Sequence, residues 1–201
     1  MRTLLIVLIA TAAVHTADKD VLFDDDLKGD LKDGWSWLRA EDADWRTAEG
    51  GLEIHLRPGD ANTVRNALVR PLPEHKGPIA IEVTVTFLSP PTEQYEQAGI
   101  TLYRGNKPVF KLVHERVDGN LVVVPGKKPT PKMTVRLRLV IDDGKFRAQF
   151  REEGETEYTT SAEGDLKLSG DVKVSLQGYH GPEKDEHWVR FSDFVIGPAA
   201  S

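Results

Sequence analysis

Residues 35–58 read WSWLRAEDADWRTAEGGLEIHLRP and hold three of the chain's four tryptophans, Trp35, Trp37 and Trp45. The opening segment alternates, which predicts a strand with Trp35, Trp37 and Arg39 on one side and Ser36 and Leu38 on the other. A polar stretch, Ala40 to Asp44, then leads to Trp45, and Glu49-Gly50-Gly51 marks a turn. Leu52, Ile54 and Leu56 alternate again as a second strand. Two short alternating runs joined by turn residues point to β structure, and the rest of the chain repeats the pattern.

Upstream, Val21-Leu22-Phe23 reads as a first short strand and Asp24-Asp25-Asp26 as a solvated turn. Downstream, Asn66–Arg70 is a short strand closed by Pro71 and Pro73, residues that belong at edges and turns. Ile79, Ile81, Val83, Val85 and Phe87 form the clearest half-buried strand. Gln97–Arg104 and Val109–Arg116 pair through Gly105-Asn106-Lys107-Pro108. Leu121–Val124 is a short strand before the proline-rich loop 125–131. Met133 to Ile141 alternates and meets Asp143-Gly144, the preferred dipeptide of a two-residue hairpin, so Phe146–Phe150 returns antiparallel to it. Thr156–Ser161 and Val172–Leu176 follow. In Trp188–Ile196 the alternation slips at Ser192-Asp193, the signature of a β-bulge. No segment of helical length shows an i, i+3, i+4, i+7 pattern after the N-terminus. About a dozen strands at turn spacing, almost without helix, predict an all-β, two-sheet antiparallel sandwich.

The combination of W-x-W-L-R, a short acidic loop, a tryptophan and a G-G-L strand resembles the concanavalin-A-like domain at the C-terminus of bacterial β-xylosidases and its free-standing relatives. Gln97–Tyr103, Phe110-Lys111-Leu112 with Glu115, and the closing Phe191-Ser192-Asp193-Phe194 are similar to further parts of that family. The resemblance implies a jelly roll over residues 18–201, an association with glycan breakdown, and ligand binding on the concave sheet. With no catalytic domain in this chain, it also implies a separate enzyme partner. In jelly-roll relatives Ca²⁺ often ties the first and last strands, which would make Asp24 and Asp193 structural Ca²⁺ ligands.

The chain has 201 residues, one sandwich domain's worth, with 39% hydrophobic and 29% charged residues. A formal net charge of −6 argues against nucleic acid or an anionic membrane as partner. The absence of cysteine excludes a disulfide framework and thiolate chemistry. Met1-Arg2, the apolar Leu4–Ala10 and small residues at Ala10–Ala13 and Thr16-Ala17 predict a signal peptide over 1–17, cleaved after Ala12, Ala13 or Ala17. A secreted or periplasmic protein without a membrane anchor is therefore expected.

Strand parity selects the candidate site. Ala98, Ile100 and Leu102 point to a core, leaving Gln97, Thr101 and Tyr103 outward. Phe110 and Leu112 point in, leaving Lys111, Val113 and Glu115 out, and Gln177 and Tyr179 lie opposite the apolar side of their strand. With Trp37, Arg39 and Trp45 added, this face would offer aromatic planes and paired polar groups to an oligo- or polysaccharide. The carbohydrate-binding set is thus Trp37, Arg39, Trp45, Gln97, Tyr103, Lys111, Glu115 and Gln177. Trp35 and Trp188 are expected in the core or at an edge. His55 and His114 are expected on non-core faces and His180–His187 on a surface loop. Two other functions fit the same sequence. One is a small sugar-processing hydrolase, since Leu176–Gly181 resembles a segment of the keto-disaccharide hydrolase domain, and it would need a deep pocket holding a carboxylate of raised pKa. The other is a structural or protein-interaction sandwich without ligand, with Arg39, Lys111 and Glu115 paired among themselves.

Overall fold

The computed structural model describes residues 21–199; the signal peptide expected over 1–17 lies outside the described residues. In chain order the strands begin with β1 (Phe23–Asp25), β2 (Ser36–Leu38), β3 (Trp45–Ala48), β4 (Gly51–His55) and β5 (Ala67–Pro71). They continue with β6 (Ile79–Phe87), β7 (Gln97–Arg104), β8 (Lys107–Val117), β9 (Asn120–Val124) and β10 (Lys128–Pro129). The last five are β11 (Thr134–Asp142), β12 (Lys145–Glu152), β13 (Thr159–Asp165), β14 (Val172–Tyr179) and β15 (Trp188–Pro198). One turn of 3₁₀ helix, Asp42–Asp44, is the only helical segment among the described residues.

The strands form two antiparallel sheets. Sheet A runs β13-β12-β11-β6-β15-β4-β3, with β1 also on β15, and sheet B runs β10-β9-β8-β7-β14-β5-β2. Hairpin neighbours such as β11-β12 and β7-β8 alternate with crossovers such as β6-β15, β15-β4 and β7-β14, the strand crossing expected of a jelly roll. The Asp143-Gly144 turn takes φ values of 41° and 73°, as a primed hairpin turn requires. The predicted bulge in β15 is present: its register to β6 shifts between Ser192 and Val195, and Asp193 has φ 52°. That bulge divides one edge of β15, which pairs with β4 through Trp188–Phe191 and with β1 through Phe194–Ile196.

The core lies between the sheets. Sheet A contributes Ile81, Val83, Val85, Leu137, Leu139, Val189 and Phe191, and sheet B contributes Ile100, Leu102, Leu112, Val174 and Leu176, all fully buried. Each such side chain contributes about 1.5–3 kcal/mol through its removal from water. Gly51 fits where β4 passes β15, since a Cβ there would stand 2.2 Å from the Phe191 carbonyl oxygen.

Five expectations are corrected here. Trp37 and Trp45 pack against the core with ring centroids 4.6 Å apart, so they are not on the outward face of sheet B. Strand β2 ends at Leu38 and Arg39 takes φ 58°, so Arg39 does not continue the tryptophan side. Trp188 is not a core residue. It stacks on His55 (5.1 Å, 16°) on the outward face of sheet A, with the Arg46 guanidinium 4.2 Å over its ring. His114 shares the inward parity of Leu112 and is fully buried against Phe87, at 5.0 Å. Finally, the Asp24–Asp26 run is only partly a solvated turn. Asp25 is buried in β1 and accepts hydrogen bonds from the Leu27 and Lys32 amides and from Trp35 Nε1, at 2.8–2.9 Å.

Candidate functional site

Register fixes which outward side chains of sheet B meet. Across β14, β7 and β8 one row is Ser175, Thr101 and Lys111; the next is Gln177, Gly99 and Val113; the third is Tyr179, Gln97 and Glu115. Period-two alternation brings these residues to one face because each strand keeps its apolar partners inward. Five of the eight predicted residues, Gln97, Tyr103, Lys111, Glu115 and Gln177, stand together here, and Arg39 reaches the same place from the end of β2.

Two hydrogen-bonded groups build the floor. In the first, Lys111 Nζ donates to Gln97 Oε1 (2.7 Å) and Glu115 Oε2 (3.1 Å), while Gln97 Nε2 donates to the Tyr95 carbonyl (2.7 Å) and Glu115 Oε1 (3.3 Å). Because an ammonium only donates, Lys111 sets the orientation of the Gln97 amide. In the second, Gln177 Oε1 lies 2.9 Å from Tyr103 Oη and accepts from Ser175 Oγ at 3.0 Å. Tyr103 Oη is also 3.1 Å from the Ala61 carbonyl oxygen. Burial raises the Tyr103 pKa, so the phenol stays protonated as a donor at neutral pH. Arg39 donates through Nε to the Val64 carbonyl, and its guanidinium reaches the Tyr103 hydroxyl.

Gln97, Thr101, Tyr103 and Gln177 are each only 1% exposed, whereas the Lys111 side chain is 35% exposed. The cover over the β5–β14 side is the segment 58–66. Its Val64 packs with Ala67, Val69 and Tyr179 in a second, small apolar cluster, and Ala61 and Leu38 join it. Beneath that cover, Gln177 Nε2 and Thr101 Oγ1 have no hydrogen-bond partner among the described residues. An unpaired buried polar group costs about 1–3 kcal/mol, and the described residues hold others away from this face, such as His55 Nε2 and Arg138 Nε on sheet A.

Thr101 and Ser175 were absent from the predicted set, although the parity that selects Gln97 and Gln177 selects them too. The covering segment has no comparable signal, because its docking depends on tertiary contacts of Ala61 and Val64. The proposed metal ligands sit on adjacent strands but are differently engaged. Asp24, opposite Val195, is paired with Lys32 Nζ at 3.0 Å, and Asp193 Oδ2 accepts from Ser192 Oγ at 3.0 Å. Among the described residues no three His, Asp or Glu side chains gather as a metal cluster.

Among the described residues the carboxylates with shifted pKa values are Asp44, Glu53 and Asp60, and all are lowered. For Asp44 the leading cause is the Arg57 hydrogen bonds. For Glu53 the pairing with Arg190 and Arg46 overcomes the burial that opposes it. A cleft of about 550 Å³ opens beyond the Tyr179–Gln97 end of the face, lined by Gly59, Glu93, Gln94 and His180 among others.

Comparison with known proteins places this geometry. No curated protein sequence matches the chain significantly. The fold is similar to a GH43 protein of Bacillus licheniformis at 19% identity and a TM-score of 0.70, over 88% of this chain and 39% of that one. It is also similar to the xylan β-1,4-xylosidase of Bacillus halodurans (16%, TM-score 0.63), over 87% of this chain and 38% of that one. The chain thus spans about two fifths of these enzymes. A functionally unknown protein of Saccharomyces cerevisiae is similar over 84% of this chain and 98% of its own length, at 15% identity and a TM-score of 0.55. A family model matches residues 23–182, and the chain belongs to the family of β-xylosidase C-terminal concanavalin A-like domains.

Proposed function

We propose that this protein is a secreted carbohydrate-binding accessory module, taking a saccharide on the outward, concave face of sheet B. The observation that carries the reading is the polar row Lys111, Gln97 and Glu115, bonded to one another on one sheet face, with the accessible Lys111 ammonium and the exposed Arg39 at its edge. The family membership supports a carbohydrate-related role, and the signal-peptide pattern of residues 1–17 supports export. Apolar stacking is a smaller part of this site than the tryptophan pattern implied, since Trp37 and Trp45 face the core. Tyr95 is an exposed aromatic beside the floor, and its carbonyl holds Gln97.

A glycan-array screen of the mature protein, run beside Arg39→Ala and Gln177→Leu variants, tests this. A glycan retained by wild type and lost by both folded variants is the expected result. Equal retention by all three would place the binding elsewhere.

A further inference from the structure

Two loops close the sandwich beyond the Tyr179–Gln97 end of the sheet B face: residues 88–96, from β6 to β7, and residues 180–187, from β14 to β15. A buried contact ties them. Glu96 Oε1 lies 2.7 Å from His187 Nδ1, while Glu96 Oε2 accepts from the Thr92 and Glu93 amides at 2.8 and 3.2 Å. The cleft of about 550 Å³ is lined by Glu93 and Gln94 of the first loop and by His180 to Glu183 of the second. Each loop also carries a ring-bearing residue in the left-handed region, Tyr95 at φ 68° and His180 at φ 61°, and the two rings stand 6.3 Å apart at 58°. Bulky side chains avoid that region, and they persist in it where the surrounding structure over-determines them. The Tyr95 amide donates to the Arg116 carbonyl at 2.8 Å, and the Tyr95 carbonyl accepts from Gln97 Nε2 at 2.7 Å. Lys111 and Glu115 hold the Gln97 amide in turn, so the polar row of the floor ends on the backbone of Tyr95. Gly181 is fixed as closely, since a Cβ there would stand 2.0 Å from the Leu56 carbonyl oxygen.

Tyr95 is 48% exposed, the one exposed Phe, Trp or Tyr side chain among the described residues. An open aromatic plane held beside a cleft suits the C–H face of a sugar ring, which Trp37 and Trp45, packed against the core, do not offer. The polar groups around it are acidic. Glu93 and Glu183 line the cleft, and Asp60 lies in electrostatic range of both His180 and Tyr179. Among the described residues that line the cleft there is no lysine or arginine, and nearby Arg57 is turned to Asp44. Carboxylates accept hydrogen bonds from hydroxyls and repel a second carboxylate. We propose that the Tyr95–His180 corner is a sugar-stacking subsite, taking one uncharged pyranose unit of the saccharide bound on the sheet B face and receiving its hydroxyl hydrogens on Glu93 and Glu183. The subsite rests on the reading of that face as a saccharide site, and it makes Lys111, Gln97 and Glu115 positioning residues for Tyr95.

An array of neutral xylo-, cello-, manno- and galacto-oligosaccharides, with oligogalacturonates and oligoglucuronates beside them, tests the subsite. It is run with the mature protein, Arg39→Ala, Tyr95→Ala, Tyr95→Phe and the double variant Glu93→Gln/Glu183→Gln. All of these side chains are exposed, so melting temperatures should stay close to wild type. The bonds that fix Tyr95 are made by its backbone and survive its substitution, so a loss of binding reports the ring. Neutral glycans should be bound by wild type, weakened about tenfold by Tyr95→Ala and kept by Tyr95→Phe. The double variant should weaken them a few-fold and narrow their margin over the uronates. Neutral glycans bound equally by Tyr95→Ala would overturn the subsite, and their loss in Arg39→Ala would then leave the reading of the face standing. Loss in Tyr95→Phe as large as in Tyr95→Ala would overturn the stacking role. Uronates bound by wild type as tightly as neutral glycans would overturn the uncharged assignment. Binding of no glycan at all would remove the saccharide reading, and this subsite with it.

Discussion

His114 makes stability depend on pH in a way that one substitution isolates. The imidazole is fully buried against Phe87, neither ring nitrogen has a hydrogen-bond partner among the described residues, and burial lowers its pKa from 6.5 to about 3. Because the folded pKa is depressed, the unfolded chain binds the proton first. Stability is then undiminished above about 6.5 and is lost as pH falls toward the folded value. At about pH 5 the unfolded imidazole is protonated roughly thirty-fold over neutral while the folded one is neutral, which costs about 2 kcal/mol. Near the folded pKa the cost approaches about 5 kcal/mol. His114→Leu removes the titration and the two unpaired nitrogens together. The variant should be more stable than wild type even at about pH 8, by about 1–3 kcal/mol. Its advantage should grow by about 2 kcal/mol on lowering the pH to about 5, or about 4–8 °C in melting temperature. Urea denaturation of both proteins across that range measures the gap, and shared carboxylates cancel in the difference. A gap that stays constant with pH would refute the reasoning, because it would mean that His114 is not held neutral by burial.

Other perturbations have equally direct readouts. Trp37→Ala should cost about 2–4 kcal/mol in urea denaturation, as a core truncation does, and should leave glycan affinity per folded molecule unchanged. Gly51→Ala should destabilise by about 2 kcal/mol or more, since its φ of 135° and the 2.2 Å approach to the Phe191 carbonyl leave a Cβ no space. Glu53→Gln should cost about 1–2 kcal/mol, a moderate value because its partners Arg46 and Arg190 are 55% and 34% exposed. The lowered Glu53 pKa means that this contribution is present above about 4.5 and fades as pH falls, so the variant and wild type should converge in acid.

Much of the fold was legible because alternation and turn chemistry are local. The Ile79–Phe87 strand, the Asp143-Gly144 turn and the slip at Ser192-Asp193 each state their structure in a few residues. The same parity placed Gln97, Tyr103, Lys111, Glu115 and Gln177 on one face. It failed at Trp37 and Arg39 because alternation holds only while a strand lasts. Strand β2 is three residues long, and the left-handed Arg39 that follows swings away from the tryptophan side. Trp188 and His114 show a different failure. Their parity against Val189 and against Leu112 was present in the sequence, but residue type outweighed it: tryptophan suggested core or edge packing, histidine a surface. Asp25 was read from its charged neighbours, whereas its burial depends on Trp35 Nε1, ten residues on. The cover over Gln177 depends on long-range docking of Ala61 and Val64, which no local pattern carries.

The most direct test of the central claim is a ¹H–¹⁵N NMR titration of the labelled mature protein with the tightest-binding glycan from the array. The account predicts that the side-chain amides of Gln97 and Gln177 shift, with the backbone amides of Thr101 and of segment 58–66, while Trp188 and His55 on sheet A stay still. Shifts confined to the Trp188–His55 face, with the Gln177 amide unmoved, would contradict it.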